Sequence, residues 1–420
     1  MGEVGDTAIA GTAARATAEA VAARSYGRLV AFLAVRTRDV AAAEDALSDA
    51  FATALAEWPH RGCPANPEAW LLTVARRRLV DGARRRQVGD AVLAELQQLA
   101  EHVVDAHDEA PIPDQRLALL FACAHPAIDA GVRAPLMLQT VLGLDAKRIA
   151  AAFLTSAAAM GKRLGRAKEK IREAGIPLRI PERTELPARL DAVLAAIYAA
   201  FTDGWCEPTG SDATRRDLAD EAIFLARVVV ELLPGDAEAL GLLACMLHAH
   251  ARRAARRSAD GDYVPLHAQD VAHWDAPMTA EAEALLRRAS TLRRIGRFQL
   301  EAALQSAHVE RRRRACDNAA AILQLHDALA MLAPSPVAAI NRALAVADVH
   351  GPTAGLAALP DSAADARIAG YQPYWAARAD LLARSGENEE ACAACDMAIA
   401  LETDEAVRRF LRARRDALGR

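Results

Sequence analysis

Apolar residues recur along this chain at spacings of three and four, the period of amphipathic helices, and the alternation that marks strands is missing. After a small, polar start (1–18) read as disordered or loosely helical, the pattern predicts a helix over 19–35 through Tyr26, Leu29, Val30 and Leu33. A second helix is predicted over 39–58. Its apolar stripe is Ala43, Ala46, Leu47, Ala50, Phe51, Ala54, Leu55 and Trp58, and Glu44, Asp45 and Asp49 face outward. Pro59, Gly62, Pro64 and Pro67 break the chain in the following loop, 60–67. Asn66 then caps a third helix that starts with Pro67 at its first position. Leu71, Val74, Ala75 and Leu79 are expected to face inward there, with Arg76, Arg77, Arg84, Arg85 and Arg86 outward.

The stretch 142–176 reads as two helices joined by a tight turn. Asp145 caps the first, which is expected to bury Ile149 and Phe153; Thr155 or Ser156 caps the second. Met160, Leu164, Ala167, Ile171 and Ala174 form the apolar face of that second helix. Lys162, Arg163, Arg166, Lys168, Lys170 and Arg172 lie opposite, against only Glu169 and Glu173. Three alanines from Ala157 would let it approach base edges closely, while Gly161 and Gly165 each weaken it by about 1 kcal/mol relative to Ala. Two readings fit this spacing. One is a helix-turn-helix whose second helix enters the major groove N-terminus first. The other is an ordinary helical hairpin with a solvated basic face.

Beyond a proline-rich connector after Ile176, helices recur at helix-pair length. Trp375, Ala379, Leu382, Gly386, Ala391 and Ala398 match the tetratricopeptide pattern of interlocking bulky and small residues with Gly in the turn, and 315–334 and 337–358 fit it more loosely. An irregular tetratricopeptide-like array is therefore expected. Asp203, Gly204, Trp205 and Cys206 read as a tight turn with an exposed aromatic. Trp274 sits in an insertion, 251–279. Asp203, Trp205 and Trp274 are the candidates for contacts between domains.

Composition strengthens the helical reading, with 53% hydrophobic residues, mostly Ala and Leu, and 4% aromatics. The fold class expected is all-α. A net charge of −4 conceals local asymmetry: six arginines and one aspartate in 76–86, then seven acids and no Lys or Arg in 88–114. The first density suits phosphate binding. Seven scattered cysteines suggest reduced thiols and a cytoplasmic chain. Cys392 and Cys395 have metal spacing but lie within a predicted helix without a second pair, so they are read as buried structural residues. No membrane span, nucleotide-binding glycine loop or nucleophile motif is evident, so neither an enzyme, a metal site, a cofactor nor a membrane partner is expected.

The order of parts narrows the reading further. An acidic helix ending in Trp58, a proline-rich loop, then Asn66-Pro-Glu-Ala-Trp-Leu-Leu-Thr-Val-Ala-Arg-Arg-Arg, resembles region 2 of bacterial extracytoplasmic-function sigma factors. The run from Ala146 to Arg172 is similar to their region 4, and the lead-in 114–144 resembles a subgroup with a long C-terminal extension. The resemblance implies a region 2 helical bundle at 19–87, an acidic linker at 88–113, a region 4 helix-turn-helix at 114–178 and a regulatory array at 187–418. It implies core RNA polymerase as partner, its clamp region meeting Glu44, Asp45 and Asp49. Promoter DNA at −10 would meet Asn66, Arg76, Arg77, Arg84, Arg85 and Arg86. DNA at −35 would meet Thr155, Ser156, Ala157, Lys162, Arg163 and Arg166. A regulatory protein or ligand on the array is a further partner. The rivals are a helix-turn-helix regulator with a repeat-type sensor that works without polymerase, and a repeat adaptor whose basic helices are merely solvated.

Overall fold

The computed structural model describes residues 3–85, 115–153, 155–182, 184–205 and 213–419, with side chains at 3–11, 23–24, 83–85, 213–217 and 366 outside the description. The expected linker 88–113, Arg86 and Cys206 fall outside the described residues. Helices and one isolated β-bridge are the only regular elements among those described, so the fold is all-α.

The chain divides into two compact units. The first holds Met1–Gly204 and Ala213–Leu225, the second Trp205–Asp212 and Ala226–Arg420. The division falls later than the expected 187, because helix Pro187–Trp205 packs with the first unit up to Gly204.

In the first unit α1 (Glu3–Thr37), α2 (Val40–Arg61) and α3 (Pro67–Arg85) pack together and bury Leu29, Leu33, Leu47, Ala50, Trp58 and Leu71. Helix α1 begins far before the expected Glu19, and Ala14 and Ala18 already contribute to the core. Helix α2 continues through Pro59 to Arg61. Its stop is Gly62, whose φ of 84° lies in the left-handed region that ends helices, not the proline. Then come α4 (Arg116–Cys123), α5 (Ala130–Thr140), α6 (Ala146–Ala152), α7 (Ala157–Glu173) and α8 (Pro187–Trp205), with α9 (Ala213–Leu232) divided between the units at Leu225. Helix α1 meets the end of α5 at Gly27, where an added Cβ would stand 1.6 Å from the Val141 carbonyl oxygen.

The second unit contains α10 (Ala237–Ala251), α11 (Ala276–Thr291), α12 (Arg297–Arg314), α13 (Ala319–Leu332), α14 (Pro336–His350), α15 (Pro352–Ala358), α16 (Ala366–Ala369), α17 (Gln372–Arg384), α18 (Asn388–Leu401) and α19 (Glu405–Leu418). Helices adjacent in sequence generally touch, α10 also touching α12. Gly386, at φ 83°, makes the turn between α17 and α18, and Ala379, Leu382, Ala391, Ala394 and Cys395 form the core of that pair. Three short 3-10 turns and a bridge from Arg257 to Tyr263 fill the insertion before α11.

Candidate nucleic-acid interface

Local capping builds the pair α6–α7. The Asp145 carboxylate accepts the Arg148 N–H at 2.8 Å, and after the turn the Ser156 hydroxyl accepts the Ala159 N–H at 3.3 Å. Thr155 donates its N–H to the Ala150 carbonyl at 2.9 Å, which fixes the turn. Ile149, Met160, Leu164, Ala167 and Ile171 are buried. Two expected core positions are not. Phe153 is 37% exposed, because α6 ends at Ala152 and the chain turns there. Ala174 is exposed beyond the last residue of α7.

Of the six cations of α7, Arg172 pairs with Glu169 on its own helix, and the other five fall into three sets. Lys168, on one flank of the buried stripe, pairs with Glu44 of α2. Arg163, Arg166 and Lys170 line a groove of about 550 Å³, whose apolar floor includes Ile128, Val132 and Ala167. Lys162 lies on the exposed side away from the core, near Gly161 and Gly165, where an added Cβ would meet nothing within 4 Å. Ser156, Ala157, Lys162, Arg163 and Arg166 are exposed and Thr155 is half-buried. This surface can present charge to phosphates and a bare helix face to base edges.

Asn66 caps α3, its side chain accepting the Ala69 N–H at 3.1 Å. Glu68, one residue inside that helix, accepts from the Ser25 hydroxyl and the Arg28 guanidinium, which ties α3 to α1. Trp58 and Trp70 meet edge to face with ring centroids 5.4 Å apart. Asn66 and Arg77 are exposed. Arg84 and Arg85 are in the last turn of α3, and their side chains, like all of Arg86, lie outside the described residues.

Arg76 corrects the expectation of an outward arginine. Only 6% exposed, its guanidinium lies 5.0 Å from the centroid of Phe32, whose ring also carries Arg36 at 3.6 Å. Burial, and then the Arg36 charge, hold its pKa down to about 10. The helical period carries the reason: Arg76 is four residues after Leu72 and three before Leu79, both buried.

Glu44 is the second correction. Asp45 and Asp49 are exposed, one turn apart, but Glu44 turns to Lys168, with side-chain exposures of 12% and 13% in the pair. Burial raises the Glu44 carboxyl above its usual range, and the Lys168 charge works against that rise. Tyr26 lies close enough for Glu44 and Asp45 to add to the rise that burial imposes on its phenol.

The three candidates for contacts between domains each engage a partner within their own unit. Asp203 accepts from Arg148 of α6. The Trp205 carbonyl accepts from Arg256 at 2.8 Å, and the same guanidinium lies 3.9 Å from its ring centroid. Trp274 is 5% exposed, packed with Ala255 and Val309. Residues 203–205 are the last turn of α8 rather than a tight loop, since the helix continues through Gly204. Cys395 is buried as expected and Cys392 half-buried. No group of metal-binding side chains occurs among the described residues, and no helix among them is long and apolar enough to cross a membrane. Sequence reasoning missed Arg148 and Lys168 as interior ion-pair donors, and the Arg116–Glu221 pair between α4 and α9. None of these pairs joins residues closer than 55 positions, so no local pattern announces them.

Comparison with known proteins adds three findings. Sigma-70 region 2 matches residues 22–88, that is, the later part of α1 with α2 and α3. A family of unknown function (DUF6596) matches residues 189–290. An uncharacterized protein of Rhizobium meliloti is 38% identical over 386 residues, 91% of each chain. No solved structure matches. The chain therefore belongs to the same family as that Rhizobium meliloti protein, and its N-terminal helices are a sigma-70 region 2 joined to a DUF6596 segment.

Proposed function

We propose that this protein is an alternative sigma factor of the extracytoplasmic-function type, directing RNA polymerase to specific promoters under the control of its own C-terminal helical array. The observation that carries the reading is the company of a sigma-70 region 2 over 22–88 with a second cationic surface on α7, reached through a capped turn. Two DNA-facing modules in that order suit two promoter elements. Asp45 and Asp49 form an acidic exposed face on α2 for the polymerase clamp. Arg77, with Arg84, Arg85 and Arg86, serves phosphates near the −10 element. Asn66, exposed and capping the helix that carries these arginines, is assigned to the same element. On α7, Lys162 is assigned to base edges at −35 and Arg163 and Arg166 to flanking phosphates, with Ser156, Thr155 and Ala157 at the entering end. The helix pairs of the second unit fit a tetratricopeptide-like array, which would carry a regulatory protein or ligand. No chemistry is required of the chain, since transcription is carried out by the polymerase.

The test is transcription in vitro. Purified full-length chain added to core polymerase should direct a transcript from DNA taken upstream of its own gene. Reversing the charge of both Asp45 and Asp49 should abolish co-elution with core polymerase without changing the melting transition. A chain that binds the duplex equally well alone and never joins the polymerase would support the rival regulator instead.

A further inference from the structure

The second unit gathers its most exposed large apolar side chains at one edge. Ile295, in the turn from α11 to α12, is 77% exposed, and Met331 and Leu332, at the end of α13, are 82% and 50% exposed. Val337, in the first turn of α14, is partly exposed as well. These turns adjoin. Just before α13 the Asn318 amide donates to the Ala307 carbonyl, late in α12, at 2.8 Å. Leu300, near the start of α12, shares a buried cluster with Leu329, near the end of α13. The two helices are therefore antiparallel, which sets the end of α13 beside the turn that holds Ile295. That turn is also cationic, with five arginines and no acid in 287–297. Arg288 donates to the Pro234 carbonyl, and Arg297 pairs with Glu301 at 2.7 Å. Arg287, Arg293 and Arg294 are exposed and, among the described residues, have no carboxylate partner. The acids at this end are committed to caps: Asp236 accepts the Glu238 and Ala239 N–H groups, and Glu238 accepts those of Phe298 and Gln299. Arg293 stands at φ 52°, a left-handed conformation that glycine adopts far more readily, so an arginine is placed there against its backbone preference.

We propose that this edge docks an acidic amphipathic helix of a partner protein, its apolar stripe on Ile295, Met331 and Leu332 and its carboxylates on Arg287, Arg293 and Arg294. The inference deepens, and rests on, the reading of the second unit as an array that carries a regulatory protein. An exposed apolar centre beside unpaired guanidiniums has the composition of a protein-docking surface, where Met and Arg are enriched and Lys is depleted. Guanidiniums also grip carboxylates through paired N–H bonds, so the free charge here selects an acidic partner. A lipid surface fits less well, because 287–297 and 331–337 supply none of the Trp or Tyr that anchor a chain at a bilayer interface. Nucleic acid would use the arginines and leave the apolar centre in water.

The probe is a fluorescent synthetic helix with leucines at i, i+3, i+4 and i+7 and glutamates elsewhere, titrated with the full-length chain by polarisation. The chain should bind it, and should bind the same helix with lysines for glutamates roughly tenfold more weakly or worse. Arg293→Glu with Arg294→Glu should weaken the acidic helix roughly tenfold, and Ile295→Ser with Met331→Ser by a similar factor. All four side chains are exposed, so thermal melts of both double variants should match wild type. Equal binding of the two helices, or binding of the acidic helix unmoved by either double variant, would overturn the docking surface. So would an acidic helix that stays unbound while phosphatidylserine vesicles or duplex DNA are bound in a way these substitutions abolish. Should the helix bind as expected yet leave promoter-directed transcription by the chain with core polymerase unchanged, the regulatory reading falls and the docking surface stands.

Discussion

Gly27→Ala poses a question of sign that the structure answers. Glycine inside a helix is unfavourable by about 1 kcal/mol relative to alanine, so propensity alone makes the substitution stabilising. The surroundings oppose it. The new Cβ would stand 1.6 Å from the Val141 carbonyl oxygen and 2.6 Å from its carbon, and ordinary contact begins near 3.4 Å. Helix α1 must therefore retreat from the end of α5 by about 1.8 Å (3.4 − 1.6), since a backbone carbonyl cannot rotate aside as a side chain would. That retreat disturbs a packed neighbourhood, because Leu29, Val30 and Leu33 on α1 are all fully buried. Overpacking of this kind costs about 1–3 kcal/mol, and a backbone obstacle puts it at the upper end. After the gain in propensity the net loss is roughly 2 kcal/mol. Urea unfolding of the whole chain, followed by circular dichroism, should show the first unit's transition at lower denaturant. Gly161→Ala and Gly165→Ala are the internal controls: with open space around both, each should stabilise α7 by about 1 kcal/mol. A Gly27→Ala protein as stable as wild type would refute the close approach of α1 and α5.

Arg76→Met should leave stability unchanged or raise it slightly in thermal melts, because the guanidinium is buried with two nitrogens lacking hydrogen-bond partners and is replaced by an apolar chain of similar length. The same variant should bind DNA like wild type, whereas Arg77→Ala should reduce the salt dependence of binding. Replacing Arg163, Arg166 and Lys170 together with Ala should flatten that salt dependence further, while Lys162→Ala should alter preference at one base position, read by competition among promoter variants. In the second unit, His248 is fully buried and burial holds its pKa near 4, with Arg252 and Arg313 adding to the fall and Glu283 opposing it. Its folded pKa is depressed, so the neutral ring's contribution is complete above the ordinary histidine value near 6.5. It declines as pH falls from there to about 4, by roughly 3 kcal/mol in all. The urea midpoint of wild type should fall relative to that of His248→Leu as pH drops across that window; parallel curves would contradict the burial.

Much of the local architecture was legible in the sequence. Asn66, Asp145 and Ser156 were readable as caps because a cap is set by a side chain and N–H groups two or three residues away. The stripe Met160, Leu164, Ala167, Ile171 follows from helical geometry alone, and region 2 was recognisable from the order of its motifs. Periodicity also contained Arg76's inward position, since it shares a face with Leu72 and Leu79, but an arginine in a basic run invites the opposite reading. What only the tertiary structure decided are the partners of polar groups on otherwise plausible surfaces. Glu44 and Lys168 each look solvent-facing on their own helix and become interior where α2 meets α7. Asp203 and Trp274 were bare candidates for contact; the structure sets Arg148 of α6 against the first and packs Val309 of α12 with the second. The physical reason is one of range. Helix formation and capping are settled by neighbours within a turn, whereas burial of a given face depends on which distant segment is packed against it, and that segment's identity appears in no local pattern.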